Sequence, residues 1–216
     1  HGLVTLDEND KVIRPAILWN DGRSQKETEY LNNEIGKEKL SAYTANIAFA
    51  GFTAPKILWM KKNEPEKFAK IAKIMLPKDY LAYRLSGSFC TDVSDASGML
   101  LLDVKNRCWS REMMEICDVR EEQLPKLYES WEVVGTLKPE VAEELGFSAD
   151  VKVVAGAEIM QLLRSEQELS VTVSVTFHLE HPEQSLFPAK TLVLTRTMHC
   201  ILSVMLTEAI ILWDVC

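Results

Sequence analysis

Glycine is confined to the first part of this sequence. All nine glycines lie at or before Gly156, and the 59 residues from Glu158 to Cys216 contain no glycine, asparagine or tyrosine. A folded segment of that size normally uses glycine at turns that need a positive φ angle. We therefore expect a folded domain over residues 1–157 and no native domain over residues 158–216.

An apolar, β-branched stretch at residues 151–157 ends the glycine-containing region. It is typical of a buried strand that runs into a tight turn. Helical patterns alternate with short apolar strands before it, which predicts an α/β fold. Functional groups in α/β proteins lie beyond the carboxyl ends of such strands, so polar side chains are expected next. The residues found there are Glu158, Ile159 and Met160.

Composition excludes several classes of protein. The net charge of −8 gives no reason to expect binding to nucleic acid or to an anionic membrane. No apolar run is long and uncharged enough to span a bilayer, and there is no secretory signal at the start. The five cysteines are widely spaced and form no Cys-x-x-Cys pair, which argues against a disulfide framework or a metal site. We expect a cytoplasmic protein. Because it begins at His1 rather than at methionine, we also expect it to be a piece of a longer one.

Periodicity and turn residues predict a series of short elements. Strands are expected at residues 3–6, 12–13, 16–19 and 99–102, the first two as a hairpin. Helices are expected at residues 24–35, 39–44, 53–63, 65–75, 77–85, 109–116 and 139–145. Thr53 and Ser110 are expected to cap helices, and Gly87 and Gly146 to end them.

Two polar segments are candidate binding features. The turn at residues 20–23 follows a short strand that ends at Trp19, and Asp21 with Trp19 suits a polyol; a capped turn before a helix is the alternative interpretation. The loop at residues 90–98 is rich in short side chains that hydrogen-bond their own backbone. It is typical of a structural loop and would also suit the wall of a cleft.

These motifs together resemble the xylulose kinases, within the FGGY family of carbohydrate kinases. The resemblance covers residues 1–157, and its most specific part is residues 51–63, which fit the family's first signature. Residues 1–2, 17–23, 76–80 and 91–98 support it.

The resemblance implies an incomplete actin-like domain, of the ribonuclease H-like ATPase class, with the sugar bound in a cleft between this domain and a second one. For the parent protein it implies ATP- and Mg²⁺-dependent phosphorylation of D-xylulose to D-xylulose 5-phosphate, and a homodimer is expected. It places His1 at the position of a sugar-pocket histidine, and Trp19 and Asp21 on the turn that lines the pocket. In this chemistry a carboxylate accepts the hydroxyl proton while metal and backbone amides hold the phosphates.

Three parts that the resemblance implies are absent from the sequence. The phosphate loop would precede His1, and the nucleotide-binding second domain is missing. The catalytic aspartate is expected at position 159, which is Ile159, and an alkyl side chain accepts no proton. Glu158, one position away, points in a different direction. We therefore expect no catalytic residue, no ATP, no metal and no kinase activity in this chain.

A shifted reading frame explains where the resemblance stops. If one base was lost just before Glu158, residues 158–169 can be read in the neighbouring frame as Gly-Asp-Asn-Ala-Ala-Ala-Ala-Val-Gly-Thr-Gly-Thr. This reading begins with the missing catalytic motif, and the codons of Met160 and Gln161 force one of its alanines. Residues 176–186 and 198–216 also give family-like segments in that frame. We therefore expect out-of-frame translation beyond Ala157.

Features of the tail then have no selected role. His178 and His181 resemble a metal-binding pair but lack the spacing of His-Glu-x-x-His. The apolar stretch at residues 201–213 is short for a membrane span and indicates a tendency to aggregate.

Two alternatives to an inactive kinase fragment stay open. One is a non-catalytic module that binds a sugar or a partner, and the other is a pseudogene or artefact product without function. We also expect the chain to fold poorly or aggregate, because the missing strands would leave an open sheet edge.

Overall fold

A computed structural model describes residues 1–157 of the chain. The expectations about the out-of-frame tail, position 159, the His178–His181 pair and the apolar stretch at residues 201–213 lie outside the described residues.

Short helices and strands alternate along this part of the chain. The strands are β1 (Val4–Leu6), β2 (Lys73–Met75), β3 (Cys90–Asp92), β4 (Leu102–Asp103), β5 (Cys108–Trp109), β6 (Lys126–Tyr128), β7 (Val133–Thr136) and β8 (Lys152–Val154). The helices are α1 (Gln25–Tyr30), α2 (Lys37–Thr44), α3 (Thr53–Asn63), α4 (Pro65–Phe68), α5 (Pro77–Ser86), α6 (Val93–Ala96), α7 (Arg111–Cys117) and α8 (Pro139–Leu145). A π-helical turn, Leu31–Gly36, joins α1 to α2. Short 3-10 turns lie at Gly22–Ser24, Ser97–Met99 and Glu121–Gln123.

The described strands pair two by two. β1 pairs antiparallel with β2, β4 with β5 and β7 with β8, whereas β3 and β6 are parallel. A parallel pair needs a long crossover connection, and the one between β3 and β6 contains α6 and α7. This mixture of helices with parallel and antiparallel strands confirms the predicted α/β fold class.

One cluster of buried apolar side chains forms the main core and draws on residues from Leu3 to Leu124. Helix α3 contributes Ala54, Ile57 and Met60, which repeat at intervals of three residues and are fully buried. This spacing places the three side chains on one face of the helix. Helix α3 is therefore the element that anchors the neighbouring turns to the core.

Most predicted helices are present in the structure. Their ends are marked in the sequence by proline, serine or glycine. Ser110 caps α7, since its Oγ accepts a hydrogen bond from the Met113 backbone N–H at 3.3 Å. Gly87 and Gly146 follow α5 and α8 with φ angles of +80° and +69°. The predicted cap at Thr53 is wrong, because this residue is the first of α3 and its hydroxyl donates to the His1 carbonyl instead.

Three short elements differ from the prediction. The helix expected over residues 65–75 ends at Phe68, and Lys73–Met75 form a strand because β1 offers its backbone hydrogen-bonding groups to them. Of the strand expected at residues 99–102, Met99 ends a 3-10 turn and only Leu102 lies in a strand, β4. The segment at residues 16–19 makes only an isolated bridge, from Ile17 to Leu3.

Strand β8 lies where the sequence predicts it, but its predicted burial is wrong. It pairs with β7 alone among the described strands, and Lys152 and Val154 are exposed. A strand with one neighbour leaves one side and part of both faces open, whatever its composition. Burial begins only at Ala155, which follows the strand.

Helices in the described part of the chain are too short or too polar to cross a membrane.

Candidate functional site

The His1 side chain lies directly on the backbone of Gly98. A Cβ atom at Gly98 would lie 2.2 Å from the His1 Nε2 atom, so only glycine leaves room for the ring. The edge of the imidazole meets the Phe52 ring, with centroids 5.6 Å apart and planes at 79°. The His1 carbonyl accepts a hydrogen bond from the Thr53 hydroxyl at 3.2 Å. Backbone and ring of His1 are both held at the amino end of α3.

Trp19 lies beside the same segment. A Cβ at Gly51 would come within 3.0 Å of the Trp19 carbonyl oxygen, so the two backbones are in close contact. The neighbouring Phe49 and Phe52 rings pack edge to face at 5.3 Å. Trp19 is 70% exposed and Phe49 is 50% exposed. The structure thus brings His1 and Trp19 against one loop, residues 49–52, with aromatic surface open to solvent.

The Asp21 carboxylate binds Arg23. It accepts from the Arg23 backbone N–H at 3.0 Å and from Nη2 of the guanidinium at 2.7 Å. The hydrogen bonds from the Arg23 side chain lower the pKa of Asp21 below its ordinary value. Asp21 therefore caps the 3-10 turn at Gly22–Ser24, as the capped-turn interpretation predicts, and lies two residues from Trp19.

A cavity of about 410 Å³ opens beside Asp21. Its lining residues are Arg14, Pro15, Ala16, Leu18, Asn20, Asp21 and Arg23. The two guanidinium groups also contact the Trp59 ring, at 5.6 Å for Arg14 and 4.9 Å for Arg23. These cation–π contacts stabilise the packing of the turn at residues 20–23 against α3.

Lys56 is a fully buried lysine beneath the loop at residues 49–52. Its Nζ donates to the Ala50 carbonyl and, at 3.3 Å, to the Phe52 carbonyl. Burial lowers the pKa of Lys56 to about 8, although the nearby Asp21 carboxylate opposes that shift. The lysine fixes the backbone that carries the exposed aromatic rings, and periodicity gave no sign of this role.

Lys78 is the centre of a second polar cluster. Its Nζ lies 2.9 Å from Asp79 Oδ1, 3.0 Å from Asp92 Oδ1 and 3.6 Å from Asp95 Oδ2. It also donates to the Ala155 carbonyl at 2.9 Å, just beyond β8. In the sequence, Lys78 is recognisable only as part of a motif, because its partners lie up to 77 residues away.

Residues 1–157 contain no group of three or more His, Cys, Asp and Glu side chains with the geometry of a metal site. The closest approach to one is the set of aspartates around Lys78, whose ammonium group occupies the position between them.

Comparison with known proteins gives consistent matches over this part of the chain. The FGGY family of carbohydrate kinases, N-terminal domain, matches residues 1–162. Xylulose kinase from Escherichia coli (strain K12) is 48% identical over 156 residues, which are 72% of this chain and 32% of that protein. The chain thus spans about a third of the length of the curated relatives it matches.

Solved structures agree. A xyloylose kinase from Brucella ovis matches with a TM-score of 0.69 and 44% identity, over 73% of this chain and 32% of that one. A gluconate kinase from Lactobacillus acidophilus has the same TM-score and coverage at 28% identity. Kinases named for different sugars therefore share this fold.

Proposed function

Because this chain belongs to the FGGY family of carbohydrate kinases, we propose that its described domain supplies the sugar-binding part of a kinase that phosphorylates D-xylulose to D-xylulose 5-phosphate with ATP. Family membership implies that the whole kinase is a transferase that acts on an alcohol group of a sugar. The expected actin-like ATPase fold is confirmed by the same family match and by the similar solved structures. D-xylulose as the substrate is favoured by relatives named xylulose kinase at 38–48% identity.

The observation that supports the sugar site is the joint contact of His1 and Trp19 with residues 49–52. An exposed indole suits the apolar face of a sugar, and an imidazole is able to donate or accept a hydrogen bond with a hydroxyl group. In this proposal Trp19 stacks against the sugar and His1 orients it. Asp21 holds the turn through Arg23 and accepts a hydrogen bond from a sugar hydroxyl.

ATP and Mg²⁺ are the cosubstrate and metal of this kind of reaction. The described residues do not fit a metal, because the aspartates nearest to one another are bound to the Lys78 ammonium group. We therefore assign no residue of 1–157 to ATP or Mg²⁺. A cytoplasmic location and a homodimeric whole enzyme belong to the same proposal. So does the expectation of no nucleic-acid or membrane partner, which the net charge of −8 favours.

We further propose that this chain does not itself transfer a phosphoryl group. Position 159, where the resemblance places the catalytic base, is Ile159, and an alkyl group accepts no proton. A base lost before codon 158 accounts for this residue. The coding DNA tests the idea, because the neighbouring frame must encode Gly-Asp-Asn at this point. Any other three residues in that frame would contradict the frameshift.

Calorimetry on the full chain tests sugar binding. D-xylulose is expected to give a saturable heat, and D-gluconate none, if the site selects the sugar for which the relatives at 38–48% identity are named. Trp19→Ala should weaken D-xylulose binding at least about tenfold, since it removes the stacking surface. Trp131→Ala is the matched control, because Trp131 is equally exposed, at 74%, and lies before β7. No heat with D-xylulose would contradict the proposed binding role.

A coupled ATP assay on the same protein tests whether the chain is inactive. Binding without turnover supports a non-catalytic sugar-binding module, which the exposed aromatic surface at Trp19 and Phe49 favours. Turnover of D-xylulose would contradict the proposal that the chain is inactive.

A further inference from the structure

Two of the three aspartates around Lys78, Asp79 and Asp92, are fixed by the elements that carry them. Asp79 Oδ2 accepts from the Leu76 backbone N–H at 3.1 Å, at the start of α5. Asp92 Oδ2 accepts from the Ser94 and Asp95 backbone N–H groups at 2.8 and 3.2 Å, which makes it the cap of α6. These two carboxylates are therefore held by their own segments, and both accept the Lys78 ammonium group.

The charge balance of the cluster depends on Lys78. Asp79 and Asp92 are almost wholly buried, and the Lys78 side chain is only 22% exposed. Burial by itself lowers the pKa of Lys78, but the three carboxylates outweigh it and raise that pKa above its ordinary value. Without this ammonium group the carboxylates would repel one another at short range in a poorly solvated place.

Asp95 lies between Lys78 and His1. Its Oδ2 is 3.6 Å from Lys78 Nζ, and its Oδ1 is 3.6 Å from His1 Nε2. A change in the charge of Lys78 must therefore alter the electrostatic field at the His1 imidazole.

The same lysine fixes the end of β8. Besides the hydrogen bond to the Ala155 carbonyl, its side chain lies under Gly156, where a Cβ would come within 3.2 Å of Lys78 Cδ. Gly156 has a φ of +84°, so the chain turns directly over the lysine stem. Lys78 thus contacts Asp95, which neighbours His1, and also the backbone that follows β8.

We propose that Lys78 is a positioning residue that sets the orientation and charge of His1 through Asp95 while it fixes the carboxyl end of β8. The significance of His1 as a sugar contact rests on the proposed function. The arrangement of Lys78, Asp95 and His1 does not, and it is testable without sugar.

The test follows the His1 imidazole by NMR during a pH titration of the full chain, with His1→Gln to assign the signal. Lys78→Met removes the cation and keeps an aliphatic stem, so Asp95 is left unbalanced and the pKa of His1 should rise by at least about 0.5. Asp95→Asn removes the intervening carboxylate, and the pKa of His1 should fall. Opposite shifts are not expected from a merely loosened structure.

Lys61→Met is the matched control, because Lys61 forms an ion pair with Asp118 at 3.1 Å on the surface. It should leave the His1 titration unchanged. A His1 pKa in Lys78→Met equal to that of the unmodified chain would overturn the proposal. If Lys78→Met does not fold, Asp95→Asn decides, and a His1 pKa that does not fall overturns it.

Calorimetry with D-xylulose on the same variants keeps the two proposals apart. If the unmodified chain gives no heat, the proposed function fails while the His1 titration still decides the role of Lys78. If the chain binds D-xylulose, Lys78→Met should weaken binding at least about threefold and Lys61→Met should not. Equal affinity of Lys78→Met and the unmodified chain would contradict a positioning role toward the site.

Discussion

A lysine buried among carbonyl oxygens, as Lys56 is, makes the stability of a domain depend on pH in the alkaline range. Burial lowers the pKa of Lys56 from 10.5 to about 8. The Lys56 ammonium group therefore loses its proton at a lower pH in the folded chain than in the unfolded chain. The unfolded state therefore binds more protons between these two values, and folding becomes more favourable as the pH rises through them.

The first prediction compares Lys56→Met with the unmodified chain. The free energy of unfolding of the unmodified chain, measured relative to the variant by urea denaturation, should rise by about 2 kcal/mol from pH 8 to pH 10. The variant removes other alkaline titrations from the comparison, including those of the buried thiols Cys90 and Cys117. Lys61 is exposed, so the same comparison with Lys61→Met should show no such rise with pH. A difference in unfolding free energy between the unmodified chain and Lys56→Met that does not change with pH would contradict the assigned pKa.

The second prediction concerns Gly98, which has no room for a side chain. In Gly98→Ala the new methyl group would overlap the His1 ring, so the ring must leave Phe52. NMR should show loss of the contact between the two rings, and D-xylulose affinity should fall at least about tenfold. Gly22→Ala is the control, because a Cβ there meets no atom within 4 Å. Retention of the His1–Phe52 contact in Gly98→Ala would disprove the packing described.

At the scale of elements, the chain uses hydroxyl and proline residues to start its helices and glycine to end them. Helix α7 is an example of a hydroxyl cap, since Ser110 is buried and its Oγ accepts a hydrogen bond from the Met113 N–H. Without that acceptor, one backbone donor of the first turn lacks its partner.

The third prediction is that Ser110→Ala lowers the free energy of unfolding by about 1 kcal/mol. Ser41→Ala is the control, because Ser41 is exposed within α2 and makes only a long hydrogen bond of 3.4 Å. Its effect should stay within about 0.5 kcal/mol. Chemical denaturation of both variants measures the difference, and equal effects would contradict the capping role of Ser110.

Elements with such end signals could be predicted from the sequence, and those without them could not. The bounds of α5 and α8 follow from local residues, because proline in the first turn and glycine after the last turn act over a short range. Strand β2 was missed because three residues carry no usable period, and its conformation is fixed by the distant β1.

On the scale of the whole described domain, packing is uneven. The main core reaches from Leu3 to Leu124, whereas the segment from β7 to β8 follows it in sequence and carries several exposed apolar side chains. These include Trp131, Val133, Leu145, Phe147 and Val154. A few links, such as the Ser88 hydroxyl to the Val134 carbonyl, attach this segment to the rest.

The fourth prediction follows from that unevenness. In hydrogen exchange on the full chain, backbone amides of β7 and β8 should exchange at least about a hundredfold faster than those of α3, since segments with few buried contacts open locally. The Val153 amide, within β8 and paired with β7, is a suitable reporter for the first group and the Met60 amide for the second. Equal protection of the two amides would contradict local opening of this segment.

The site could be predicted only in part, and mainly through the family resemblance. His1 is assigned only in that way, whereas Trp19 is also a candidate from its place at a strand end, and the structure brings both to residues 49–52. Nothing in the sequence indicates that Lys56 and Lys78 help to form the site, because a lysine is usually exposed. The buried Lys56 and the partly buried Lys78 are held by carbonyls and carboxylates that only tertiary folding assembles.

The exposure of Trp19 gives the candidate site an optical signal of its own. An indole in water emits at long wavelength and is quenched by dissolved iodide, whereas one covered by a bound molecule emits at shorter wavelength and is shielded. Trp59, whose ring contacts the guanidinium groups of Arg14 and Arg23, and Trp109 are partly buried against the main core and should change little. With the other two tryptophans, Trp131 and Trp213, replaced by phenylalanine, the intrinsic fluorescence of the chain becomes a label-free measure of whether Trp19 is occupied.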